Sequence, residues 1–209
     1  MKAFTRQTGV AAPLPTENID TDVIIPMGPL MMTPRARLGE KAFLPLRYFD
    51  DGSENPDFVL NQPAYRGASI LVTGRNFGCG SSREAAVNAL EGLGICVVIA
   101  PSFGDIFYGN CIKNGLLPLQ LSEEMHAEVM RAAQDVAGAS PFNVDLPRQS
   151  LTLPDGTHIP FEIDPGHKVR LLEGLDEIAL TQQHQDAIAA YREADRAAHP
   201  WIWAIEHKA

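Results

Sequence analysis

The stretch from Ser69 to Ala100 constrains the fold of this chain more than any other. Ser69-Ile70-Leu71-Val72-Thr73 is a short apolar run rich in β-branched residues, and Ile95-Cys96-Val97-Val98-Ile99-Ala100 is a second. Between them lie the loop Gly74-Arg75-Asn76-Phe77-Gly78, a helical stretch near 81–93, and the punctuation of Gly92 and Gly94. This order, at these lengths, is that of a βαβ unit. It implies two buried parallel strands joined by a right-handed crossover, and so an α/β fold.

The pattern continues downstream. A helix from about Phe103 to Lys113 stops at Asn114-Gly115, a strong C-terminal signal. Leu116-Leu117-Pro118-Leu119-Gln120-Leu121 reads as a strand, and Pro118 confines it to a sheet edge or a strand start. Ser122 is placed to cap an amphipathic helix running to about Ala137. Residues 142–163 alternate, and Pro154-Asp155-Gly156 turns Ser150–Leu153 back on Thr157–Ile163 as a β-hairpin. Residues 26–66 are rich in Pro, Gly, Asp and Asn and have no clear period, as in a functional loop or a partner surface. The segment 176–198 reads as a polar helical region, and Trp201-Ile202-Trp203 is apolar enough to require a docking site.

The chain has 209 residues, enough for one domain with a sizeable core. Seventeen Lys and Arg against 26 Asp and Glu leave a formal charge of −9, which carries no nucleic-acid footprint. No run approaches the roughly 18 apolar residues of a membrane helix. Met1-Lys2-Ala3-Phe4-Thr5-Arg6 is followed by no apolar h-region, so a soluble cytoplasmic protein is expected. Cys79, Cys96 and Cys111 are odd in number and far apart, which opposes both a disulfide framework and a self-contained zinc or iron–sulfur site. Cys96 reads as a buried small hydrophobe and Cys111 as a residue packed on a helix. All six histidines lie in polar surroundings and read as surface residues.

The chemistry concentrates in Gly78-Cys79-Gly80-Ser81-Ser82-Arg83-Glu84. A strand, a glycine loop and a helix N-terminus together favour a carboxylate or phosphate, through orphan N–H groups and the helix dipole. The same residues fit a capping box, with Ser81 as N-cap and Glu84 at N3. A cap alone needs neither the glycines flanking Cys79 nor a cation, Arg83, in the first turn. The glycine spacing matches neither nucleotide-binding fingerprint, and Ser81 is not in a nucleophile elbow. A small di- or tricarboxylate site remains, in which Arg83 grips a carboxylate and a serine alkoxide serves as base. Upstream, Asp20 and Asp22 precede what reads as an apolar strand, Val23-Ile24-Ile25; on their own they read as a solvated turn or cap.

Taken together, several segments resemble the small-subunit family of 3-isopropylmalate dehydratases, in the aconitase superfamily. They are Asp20-Thr21-Asp22-Val23-Ile24-Ile25-Pro26, the stretch Tyr48 to Gln62, Asn76 to Glu84, Ala100-Pro101-Ser102-Phe103 and Asn114-Gly115-Leu116-Leu117-Pro118. The resemblance covers roughly residues 1–200 in order, leaving 201–209 as a C-terminal tail. It implies a swivelling β/β/α domain of the aconitase C-terminal type that closes over a large subunit. That partner would carry a 4Fe-4S cluster acting as a Lewis acid, with no cofactor or metal in this chain. It further implies that Ser81 is the base, that Arg83 stabilises charge and holds a substrate carboxylate, and that Asp22 reaches the shared site. Ser82 would hydrogen-bond the substrate, a small dicarboxylate. Leu30 and Met31, in the loop 27–39, would meet the substituent that distinguishes substrates. The chain departs from the family pattern at Ala85-Ala86-Val87, where His-Ala-Pro is usual, and throughout 27–39. A dehydratase for another 2-substituted malate, of citramalate or dimethylmalate type, and a non-catalytic module keeping the fold are the alternatives.

Overall fold

The computed structural model describes residues 1–80, 83–135 and 140–204. The chain opens with two short strands, β1 (Arg6–Gly9) and β2 (Ala11–Leu14), that enter different sheets. After them come α1 (Thr21–Ile24), α2 (Met27–Met32), a 3₁₀ stretch at Arg35–Lys41, α3 (Leu44–Arg47) and a 3₁₀ turn at Val59–Asn61. The central unit is β3 (Ile70–Thr73), α4 (Glu84–Gly92) and β4 (Val97–Ala100), followed by α5 (Asp105–Asn114), β5 (Leu117–Gln120) and α6 (Glu123–Asp135). Strands β6 (Phe142–Asp145), β7 (Ser150–Thr152) and β8 (His158–Pro160) come next. The chain ends in helices α7 (Pro165–Glu173), α8 (Glu177–Gln182), α9 (Gln185–Ala198) and α10 (Pro200–Trp203).

Strands β2-β3-β4-β5 form a parallel sheet in that order, and β1-β6-β7-β8 an antiparallel one. Side chains of the parallel sheet alternate between two cores, as the period of two requires. Ile70, Val72, Val97, Ile99, Leu117 and Leu119 face Phe142, Val144, Leu151 and Ile159 of the antiparallel sheet. Leu71, Val98 and Ala100 face the helical layer of α4, α5 and the 3₁₀ stretch, with Phe43, Val87, Leu90 and Phe107. The layering is β/β/α, and no described helix is long and apolar enough to cross a membrane.

Several expected elements are present. The βαβ unit starts and ends within two residues of the expected strands. Gly115 closes α5 in the left-handed conformation (φ 97°), where a Cβ would be strained. Leu117 and Leu121 donate to Cys96 and Ala100 carbonyls at 3.0 and 3.1 Å. Pro118, of opposite parity, therefore faces the free edge, where its missing N–H costs no ladder bond. Ser122 caps α6, its Oγ accepting from Met125 N at 3.3 Å; the expected end at Ala137 lies outside the described residues. The hairpin turn closes through Leu153 N to Thr157 O at 2.9 Å.

Other expectations are corrected. Val23-Ile24-Ile25 is not a strand: Thr21–Ile24 is helical and Asp20 caps it, Oδ1 accepting from Val23 N at 2.8 Å. So short an apolar run carries no period that separates helix from strand. Glu84 is the first residue of α4, with Arg83 as N-cap, rather than the N3 residue of a capping box; the expected cap, Ser81, lies outside the described residues. Cys96 is only half-buried ahead of β4. His126 is not a surface residue but is buried on the inner face of α6. The tail docks only in part. Trp203 folds onto α9, its Nε1 donating to Asp195 at 2.8 Å with Arg192 and Arg196 against its ring, while Trp201 and Ile202 remain exposed.

Candidate active site

The loop leaving β3 is held by backbone bonds on both sides. On one side Asn18 N donates to Arg75 O at 2.8 Å, Gly78 N to Ile19 O at 2.7 Å and Thr21 N to Cys79 O at 3.0 Å. On the other, Asn76 N donates to Ser102 Oγ at 2.9 Å, Phe77 N to Ser102 O at 3.2 Å and Gly104 N to Phe77 O at 2.9 Å. Residues 18–21 follow β2 and residues 102–104 follow β4, so these bonds prolong the parallel sheet beyond the carboxyl ends of its strands. Ligand sites of open α/β sheets lie at that end.

Close packing beneath the loop requires its glycines. Gly78 has φ 72°, and a Cβ there would fall within 2.6 Å of Phe107 Cδ1. Phe107 is fully buried, edge-on to Phe77 at 5.4 Å and stacked on Phe103 at 6.3 Å. Gly80 (φ 90°) turns the chain toward α4, bringing Asp20 alongside. Arg83 then lies in extended backbone (φ −78°, ψ 104°) just outside the helix. This places Glu84 at N1, where the dipole favours a carboxylate, and frees the Arg83 side chain to turn toward α1.

There Arg83 Nη1 bonds to Asp22 Oδ1. The Arg83 side chain is 17% exposed and that of Asp22 57%, so the guanidinium is largely covered while the carboxylate stands toward solvent. No side chain among the described residues caps the first turn of α4. The arrangement is an arginine beside a helix N-terminus, with a carboxylate already on it. A second carboxylate arriving from solvent meets a fixed, charge-assisted donor whose fork suits two parallel bonds.

The structure therefore brings together two of the residues singled out in the sequence, Asp22 and Arg83. Ser81 and Ser82 lie outside the described residues. Leu30 packs against the core beneath α2, whereas Met31 is 79% exposed on the same helix. A cleft of about 920 Å³ beside them is lined by Pro26, Pro29, Leu44, Tyr48 and Phe49, and neither Arg83 nor Asp22 lines it. The cysteines do not fit an iron–sulfur cluster: Cys79 is in the loop, Cys96 ahead of β4, and Cys111 buried inside α5, where desolvation pushes its thiol well up. No group of three or more metal-ligating side chains occurs among the described residues.

Sequence reasoning missed His126. Its Nε2 lies 2.7 Å from the carbonyl of Thr73, the last residue of β3 before the site loop. The signal was available: His126, Val129, Met130 and Ala133 recur at i, i+3, i+4 and i+7, which puts the histidine on the apolar stripe of α6.

A family model for the aconitase C-terminal domain matches residues 1–124, and one described as LeuD_N matches 127–165. The 3-isopropylmalate dehydratase small subunit of Paramagnetospirillum magneticum is 53% identical over 202 residues, spanning 97% of this chain and 100% of that protein. The protein of the same name from Xanthobacter autotrophicus is 52% identical, again over 97% and 100%. Among solved structures, a 3-isopropylmalate dehydratase from Methanocaldococcus jannaschii superposes with a TM-score of 0.65 at 25% identity, over 89% of this chain and 99% of that one.

Proposed function

Since the chain belongs to the small-subunit family of 3-isopropylmalate dehydratases, with the aconitase C-terminal fold, we propose that it is half of a cytoplasmic hydro-lyase. The complete enzyme would interconvert 2- and 3-isopropylmalate in leucine biosynthesis and would form only with a large subunit. The observation that carries this reading is the Arg83–Asp22 pair at the carboxyl ends of β2, β3 and β4. It holds a largely covered, carboxylate-binding cation against a carboxylate that faces solvent, as half of a site completed by a partner should.

In this reading Arg83 holds one substrate carboxylate and stabilises charge that develops when the neighbouring carbon loses its proton. Asp22 holds the guanidinium in place before substrate arrives and orients it afterwards. Ser81, as alkoxide, takes the proton from the carbon beside that carboxylate and the adjacent carbon loses hydroxide, so that the elements of one water are eliminated. Water returns across the resulting double bond with the two positions exchanged, and Ser81 gives the proton back. The partner's cluster would supply Lewis acidity toward the departing hydroxyl. Ser82 hydrogen-bonds the substrate, and Leu30 and Met31 lie on the segment that meets its substituent.

The test is anaerobic reconstitution with the large subunit, followed by turnover of 3-isopropylmalate, 2-methylmalate and 2,3-dimethylmalate. Preference for isopropylmalate is expected. Efficient turnover of 2-methylmalate with little of isopropylmalate would move the chain to a sister activity. Ser81→Ala should lower kcat by about 10²–10⁴-fold with assembly intact; unchanged turnover would remove the serine from the chemistry.

A further inference from the structure

The end of β3 is pinned from beneath by a side chain on α6. Thr73 is fully buried, and its carbonyl accepts from His126 Nε2 at 2.7 Å. A carbonyl only accepts, so this contact requires the proton on Nε2. Gly74, the next residue, packs so closely on the Pro15 and Thr16 carbonyls that a Cβ would lie 2.7 and 2.6 Å from them. The register that sets Val97 N on Ser69 O brings position 101 of the neighbouring strand opposite Thr73 O; Pro101 has no N–H there, and His126 supplies the donor that the strand cannot. The next residue, Arg75, is tied to the same helix by an ion pair from its Nε to Glu123 Oε1 at 2.7 Å. Both partners of that pair are more than half exposed and it contributes little. The buried bond carries the constraint.

We propose that His126 is a positioning residue for the active site, fixing the point from which the loop 74–80 departs and, through that loop, the placement of Arg83. This rests on the hydro-lyase reading given above. Without the donor, Thr73 O is a buried acceptor with no partner, and the loop regains that bond only by moving. The buried imidazole is held neutral, since desolvation lowers its basicity against smaller opposing effects of the Thr73 carbonyl and Glu123. The charged groups facing the same cleft are Glu17 and Arg75 from the loops and Glu123 and Arg131 from α6. With the folded-state value depressed, the unfolded chain binds the extra proton first. Stability is thus full above the ordinary histidine value of about 6.5 and is lost as pH falls below it.

The experiment uses the complex reconstituted with its large subunit. His126→Leu should lower kcat by about 10- to 100-fold with KM little changed, as expected for a misplaced catalytic group. His126→Gln, which keeps an N–H donor at similar reach, should restore most of that loss; the native complex should show an extra fall in kcat from pH 6.5 to 5 that the Gln variant lacks. Amide exchange at residues 74–80 should be faster in His126→Leu than in the native chain. Full turnover by assembled His126→Leu, or equal impairment of the Leu and Gln variants, would overturn the proposal. If His126→Leu does not fold, the Gln variant decides: an acid limb parallel to the native one overturns it. A native complex inactive on isopropylmalate would instead overturn the functional reading, while the exchange rates would still report on the loop.

Discussion

Two segments adjoin the Arg83–Asp22 pair along the chain, the loop 74–80 ahead of Arg83 and the segment 26–52 after Asp22, and they are held in opposite ways. The loop 74–80 is bonded backbone to backbone on both flanks and stands on buried aromatic rings. The segment 26–52 is a series of short helical turns closed by local bonds, anchored to the core through Leu38, Ala42 and Phe43. Its Met27, Met31, Met32 and Phe49 stand in solvent. The first arrangement gives a backbone-fixed loop; the second leaves an adaptable apolar surface. Methionine suits such a surface because its unbranched thioether conforms to differing shapes. Under the proposed function, chemistry falls to the first segment and substrate choice to the second, and each half of this contrast can be tested.

The largest effect should come from the fixed side. Arg83→Ala removes the cation from the end of α4 and should lower kcat of the assembled enzyme by about 10²–10³-fold, as loss of one preorganised donor does. Arg83→Lys should recover only part of this, because a point charge cannot make two parallel bonds. A loss below tenfold for the alanine variant, with assembly verified by sedimentation, would show that the fixed loop is not where the substrate is held.

Next in size is the loop's foundation. Gly78→Ala combines a left-handed backbone angle with overlap onto the Phe107 ring. Strain of about 1–2 kcal/mol and overpacking of about 1–3 kcal/mol should together cost roughly 3 kcal/mol. For a chain of this length that is a fall in Tm of roughly 6–12 °C, readable by calorimetry. A change under 1 kcal/mol would mean that Phe107 can give way, and the loop would then be no more fixed than its neighbour.

This contrast was only half legible in the sequence. The central strands, the stop at Gly115 and the edge position of Pro118 were readable because local pattern and local structure agree there. Strands β1 and β2 were not: Arg6–Gly9 has no apolar residue, Pro13 interrupts Ala11–Leu14, and β1 pairs with residues some 140 positions away, Arg6 opposite Asp145. Nothing near a strand encodes so distant a register. The loop was recognisable from its glycines, and Arg83 from its place beside them. That Arg83 would stand outside the helix and reach Asp22 depended on the left-handed turn at Gly80, which residue identity permits but does not compel. His126 was hidden by charged neighbours along the chain, although its spacing to Val129 and Ala133 placed it inward.

The smallest effect tests the adaptable side with the same substitution. Gly52 has φ 82°, close to that of Gly78, but open space surrounds the position a Cβ would take. It lies in a turn closed by Phe49 N to Ser53 O and Gly52 N to Phe49 O, both 2.9 Å, with Asp51 Oδ1 accepting from Ser53 N. Gly52→Ala therefore meets the backbone strain without the overlap, and the gain from a stiffer unfolded chain offsets part of it. A net cost of about 1 kcal/mol or less is expected, with kcat unchanged. The difference between the two glycine variants isolates the packing beneath the loop from the shared cost of the angle. Equal losses at both positions would mean that the ring contact contributes nothing and that backbone angle alone sets the rigidity of the site.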